Sequence, residues 1–183
     1  MEMTNAEKLM FEMLSEIHET LKIKKGVNTK LLKEAIYSDN TWAIDWEMPG
    51  IIQDKKEENP PEVKYVVDVL DMWSFLEEGY TALTSEGNKE LAAKAGIFGK
   101  NVKFTGFDKN NESKLYSIAY FLVNEMGRFQ QFKGRELNSH LPTTGMYKRM
   151  LSIFLPIRKN LVGRTLSIDE MTEILNSMAN PKE

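Results

Sequence analysis

The sequence predicts an all-α protein, a single multi-helix domain of about six or seven helices with at most one short strand or ribbon. Three observations predict it. Apolar residues recur with helical period along most of the chain. Thr4 with Glu7, and Ser167 with Glu170, have the spacing of capping boxes, in which each side chain satisfies an orphan amide of the first helical turn. Only Val102–Phe107 has strand character, and one strand cannot make a sheet.

The first helix begins at Thr4, and Ala6, Leu9, Met10, Met13, Leu14, Ile17 and Leu21 fall on one face expected to be buried; Gly26 ends it. Asn28 caps a second helix with Leu31, Leu32, Ala35 and Ile36 inward. The tryptophan-rich stretch Asp39–Gly50 reads as a broken helix stopped before Pro49. Residues 53–62, QDKKEENPPE, read as a polar linker between the N-terminal helices and the main helical core. Pro61 suits a first helical turn, and the next helix runs to about Tyr80, burying Val63, Val66, Val67, Leu70, Trp73 and Leu76. A short helix over Ser85–Gly96 ends at glycine. Asn111–Met126 is apolar almost all round and is expected to be a central, buried helix. A polar loop over Gln130–Thr144 leads to a helix from about Gly145 that Pro156 kinks or ends. The capping box at Ser167 opens the last helix, with Met171, Ile174, Leu175 and Met178 on its inner face.

A chain of 183 residues fits one domain and can bury a sizeable core without a staple. It has no cysteine, which removes disulfides and thiolate chemistry. The charged N-terminus is unlike a signal peptide and no stretch reaches the length of a membrane span, so a cytoplasmic protein without membrane partners is expected. The net charge of −3 hides an asymmetry. Met1–Leu91 holds 10 Lys and no Arg against 19 Asp and Glu, a balance of −9; Ala92–Glu183 holds 14 Lys and Arg against 8 Asp and Glu, a balance of +6. Either the basic half faces a polyanion or the halves neutralise each other, within one chain or across a homodimer. The second reading is preferred.

All five arginines lie between Arg128 and Arg164. Their rigid forks suit carboxylate and phosphate. Arg128, His140, Tyr147 and Arg149 are the candidate ligand-binding set: the two arginines to clamp a small anion, the histidine and tyrosine to complete its hydrogen bonding. The competing reading is an ion-pair network in which Glu125 or Glu136 holds these arginines. Nucleic acid is weighed as a partner, because Phe98, Phe104, Phe107, Phe129, Phe132 and Tyr147 interleave with basic residues between Lys94 and Arg164, but a pI near 5.6 disfavours it. A protein-interaction surface built on some of the 11 methionines is a further alternative. No catalytic residue, metal ligand set or cofactor loop is recognised, and the chain is read as leaning away from enzymes. Asp68 and Asp71, with Glu77 and Glu78, are read as a solvated acidic face rather than a Mg²⁺ site. Trp42, Trp46 and Trp73 are read as core or dimer contacts.

Ordered segments of the chain resemble the YfbU-like family of uncharacterised bacterial proteins. They are MEMTNAEK at Met1–Lys8, VVDVLDMWSFLEEGY at Val66–Tyr80, FTGFD at Phe104–Asp108, YSIAYFLVNEMGRF at Tyr116–Phe129, LNSHLP at Leu137–Pro142, MYKRML at Met146–Leu151 and LSIDEMTEIL at Leu166–Leu175. The resemblance implies a mostly helical domain with no established catalytic residues. Some members are linked to a helix-turn-helix region, which implies a ligand-sensing role; no separate module of that kind stands out here.

Overall fold

The computed structural model describes residues 3–23, 26–49 and 59–179. The linker expected over 53–62 lies mostly outside them. Among the described residues there are eight α-helices and no sheet: α1 (Asn5–Thr20), α2 (Thr29–Tyr37), α3 (Trp42–Glu47), α4 (Pro61–Ala82), α5 (Ser85–Ala95), α6 (Ser113–Tyr120), α7 (Thr144–Arg158) and α8 (Ile168–Asn176). The all-α expectation holds, with one helix more than the upper count. Both capping boxes form, at Thr4 and at Ser167.

The longest helix, α4, is the axis of the molecule. Val63, Val66, Val69, Leu70, Met72, Trp73 and Leu76 are all buried, so apolar groups surround the helix rather than line one stripe. Helices α6 and α7 pack against it, α8 packs on α7 and α5 on α8, and α1–α3 form a corner joined through α2 to the Phe121–Glu125 turn that follows α6. The helix expected over Asn111–Met126 starts later, at Ser113, and passes at Phe121–Glu125 into a π-helical turn. Its buried residues are Ile118, Ala119, Phe121, Leu122 and Val123. The wider turn places Phe121, Leu122 and Val123 in the core, while Asn124 and Glu125 are half-buried. Pro156 lies inside α7, which continues only to Arg158. That last turn is anchored from outside: Arg158 reaches Asp68 Oδ1 at 3.0 Å and Asp71 Oδ2 at 2.8 Å on α4.

The segment with strand character is a connector. Phe107 and Asn138 make one isolated parallel bridge: Phe107 N–H donates to Leu137 O (3.0 Å) and Ser139 N–H to Phe107 O (3.2 Å). Gly106 permits this approach. Its φ is +94°, and a Cβ there would stand 2.0 Å from Leu137 O.

One expectation is overturned. The apolar stripe of α1 is not buried: Leu9, Met10, Met13, Leu14, Ile17 and Leu21 are all exposed. Helix α1 meets α2 through its other side, where Glu12 pairs with Lys33 at 2.8 Å. Periodicity finds the stripe but not the surface that covers it.

Candidate functional site

The four residues selected from the sequence do not converge. Tyr147 is buried, packed at 5.6 Å between ring centroids against Phe107, and its hydroxyl donates to Gly106 O at 3.0 Å. Burial pushes its pKa well up, so it stays a neutral core group. Arg149 ties α7 to the end of α8: Nε donates to Ser177 O (3.0 Å), Nη2 to Met178 O (2.9 Å) and Nη1 to Gly145 O (3.1 Å). It closes the open carbonyls of a helix C-terminus. His140, at a φ of +58°, lies on the surface with Nε2 3.0 Å from Glu136 Oε1. Arg128 reaches Glu47 at 3.7 Å and stacks over Trp46, 5.4 Å from the ring centroid.

The remaining arginines also have intrachain partners. Arg135 Nη1 donates to both oxygens of Glu77 at 2.8 Å. Arg164 pairs bidentately with Glu170, Nη1 to Oε2 and Nη2 to Oε1, both at 2.7 Å. The acidic face of α4 is therefore solvated only in part: Asp68 and Asp71 hold Arg158 and Glu77 holds Arg135, while Glu78 stays exposed. Among the described residues no group of acidic and histidine side chains is placed to hold a metal. Arg128, Arg135 and Arg158 come from the basic half and Glu47, Glu77, Asp68 and Asp71 from the acidic half, so the charge asymmetry is neutralised within the chain to that extent. The arginine partners differ from the expected Glu125 and Glu136. Of the aromatics weighed as base-stacking groups, Phe104, Phe107, Phe132 and Tyr147 are buried in the core and present no open face.

A polar cleft lies elsewhere, between the α2–α3 corner and the starts of α4 and α6. It has a volume of about 550 Å³, within the range of small-ligand sites. Asn40 builds it. At Asp39 the chain turns through φ +59°, a conformation that Asp tolerates, and Asn40 is turned inward and buried. Its Nδ2 donates to Ser38 Oγ (2.8 Å) and to Ser117 Oγ on α6 (3.1 Å), and its Oδ1 accepts from Trp42 Nε1 (3.0 Å). Trp46 Nε1 donates to Asn59 Oδ1 at 2.9 Å, fixing α3 to the entry of α4. Lys114 of α6 pairs with Glu62 of α4 at 2.8 Å. Asp39 and Asp45 stand exposed on the rim, where the described residues offer no ion-pair partner.

Lys114 and Ser113 also line a second groove of about 590 Å³ on the far side of the Glu62–Lys114 pair. At its base the buried Glu112 carboxylate caps α7. Oε1 accepts from Thr143 N (2.8 Å) and Thr144 N (2.6 Å), and Oε2 from Asp108 N (3.0 Å) and Thr143 Oγ1 (2.9 Å). Burial pushes this carboxyl up, but the hydrogen bonds from Thr144, Asp108 and Thr143 outweigh it and hold its pKa below the usual range. The anion site at the start of α7 is thus filled by the protein itself. In the sequence the tryptophans of Asp39–Gly50 overshadow the residues that frame this cleft. The Asp-Asn pair before Trp42, a turn signal, is the clue available there.

The YfbU domain model matches residues 1–177. The chain belongs to the YfbU family. A curated relative, the UPF0304 protein of Actinobacillus succinogenes, is 30% identical over 118 residues, covering 63% of this chain and 65% of the relative. The matched region thus spans just under two thirds of that relative's length. No helix among the described residues is long and apolar enough to cross a membrane.

Proposed function

We propose that this YfbU-family chain is a non-enzymatic binding or regulatory domain for a small polar ligand that enters the cleft between the α2–α3 corner, α4 and α6. The observation that carries the reading is the cleft, whose wall is held by a buried asparagine bonded to the C-cap of α2, to α3 and to α6. Rigid polar lining gives orientation without a large ordering cost on binding. The charge at the rim argues for a ligand bearing an amine: Asp39 and Asp45 face the opening, while Lys114 is paired with Glu62. The small anionic ligand expected from the arginines has weaker support. Arg135, Arg149, Arg158 and Arg164 have their forks on carboxylates or carbonyls at 3.1 Å or less. Arg128, at 3.7 Å from Glu47, is the most loosely paired of the five.

Thermal unfolding against amines, amino acids, phosphorylated metabolites, carboxylates and short oligonucleotides tests the reading. A ligand at about 100 times its Kd adds about 2.7 kcal/mol, a shift of roughly 5–10 °C for a chain of this size. The expected result is a shift from amine-bearing compounds that disappears in Asp39→Asn and Asp45→Asn and survives in Arg128→Ala. A shift from anions that disappears in Arg128→Ala returns the site to the arginine. A shift from oligonucleotides alone moves the reading to nucleic acid, and no shift from the panel removes the cleft as a site.

A further inference from the structure

Helix α1 is inside out for a chain on its own. With 3.6 residues per turn, Leu9, Met10, Met13, Leu14, Ile17 and Leu21 fall on one stripe along the helix and its C-terminal cap. Each keeps more than half of its surface in water, Leu21 as much as 66%. The opposite side carries Phe11, Glu12, Ser15 and Glu19, and this polar side meets α2. Ser15 is buried, Glu12 pairs with Lys33, and Tyr37 Oη donates to Glu12 at 3.1 Å. Rolling the helix to bury the stripe on its own domain would break the Glu12–Lys33 pair and carry that face into solvent. Among the described residues no other element covers the stripe.

We infer that the covering surface is a second copy of the chain, whose own α1 stripe lies against this one across a two-fold axis. The area fits. Six large side chains left more than half exposed amount to on the order of 600–700 Å², near the roughly 800 Å² that each partner contributes to a standard interface. A two-fold contact places the same patch on both sides, so one association covers both stripes. The border also fits: Glu7, Glu16, His18 and Lys22 surround the stripe with charge of both signs, the polar rim of a protein interface. A lipid surface fits poorly. Membrane-lying helices carry lysine and arginine on the polar face, whereas α1 carries Glu7, Glu12, Glu16 and Glu19 against Lys8 alone.

Sedimentation of the full chain from about 1 to 100 μM, the range that captures a micromolar Kd, is expected to give twice the chain mass of 21.1 kDa. Leu14→Glu with Ile17→Glu is expected to halve that mass while far-UV helicity is kept. Cysteine cross-linking keeps the test independent of how well that variant folds, because the chain has no cysteine of its own. Single cysteines at Met13, Leu14 and Ile17, with Val162→Cys as an exposed control, are oxidised in air. Disulfide dimers are expected to form much faster from an α1 position than from the control. Four results overturn the inference: a single-chain mass at the highest concentration, a dimer that survives the double substitution, cross-linking no faster in α1 than at position 162, or a monomer that co-sediments with phosphatidylcholine–phosphatidylglycerol vesicles.

Discussion

Replacing Glu112 by glutamine tests whether one buried carboxylate holds the start of α7 and, with it, the polar lining of the second groove. The carboxylate accepts from three backbone amides, those of Asp108, Thr143 and Thr144, and from the hydroxyls of Thr143 and Thr144. Glutamine keeps the shape but turns one acceptor oxygen into a donor that faces only donors. The hydroxyls can rotate to other acceptors; at least one buried amide cannot. An unpaired buried amide costs about 1–3 kcal/mol, and removing the negative charge from a helix N-terminus costs about 0.3–1 kcal/mol more. The expected loss is about 1–4 kcal/mol, which lowers Tm by roughly 3–15 °C at this chain length. Thermal unfolding followed by circular dichroism at pH 7 measures it. The pH dependence has a definite sign. The carboxyl titrates lower in the folded chain than in the unfolded one. Its contribution is therefore complete above the unfolded value and is lost as pH falls through the folded value. The gap between wild type and Glu112→Gln should narrow in acid. A Tm within about 2 °C of wild type at neutral pH would refute this account, as would a gap that does not change with pH.

Two further predictions concern the neighbourhood and the last helix. Gly106→Ala forces a Cβ to 2.0 Å from Leu137 O at a φ of +94°, and is expected to cost at least about 3 kcal/mol. Gly134→Ala, also at positive φ but with no atom within 4 Å, should cost only about 1–2 kcal/mol; equal losses by chemical denaturation would show that the Gly106–Leu137 approach is not decisive. The bidentate Arg164 fork, helped by Ser167, brings the Glu170 carboxyl down to about 2. Carboxyl carbon shifts followed by NMR should show a midpoint well below that of an ordinary glutamate, returning toward it in Arg164→Ala. Its stabilising effect is present above the unfolded value and fades as pH falls toward about 2.

Local rules carried a good part of the fold. Capping boxes depend on residues three apart, and helix phase on residues three and four apart, so Thr4, Ser167 and the inward faces of α2 and α8 were legible from sequence. Pro61 marked the first turn of α4 for the same reason. The candidate site was not legible in this way. Arg149 and Arg158 look alike as letters, yet one closes the carbonyls of α8 and the other holds α4 to α7. Tyr147 sits one helical turn after Thr143 and falls in the core only because Gly106 brings the loop over it.

The sequence by itself determined that the chain is helical, where most helices begin and end, and that its acidic and basic halves could neutralise each other, because short-range periodicity and composition control these properties. The tertiary structure alone decided which acid meets which arginine, that Asn40 frames a cleft with α6, and that the apolar side of α1 faces outward. Each of these depends on contacts between residues far apart in the chain, and on a helix wheel an apolar stripe looks the same whether its own core or another molecule covers it.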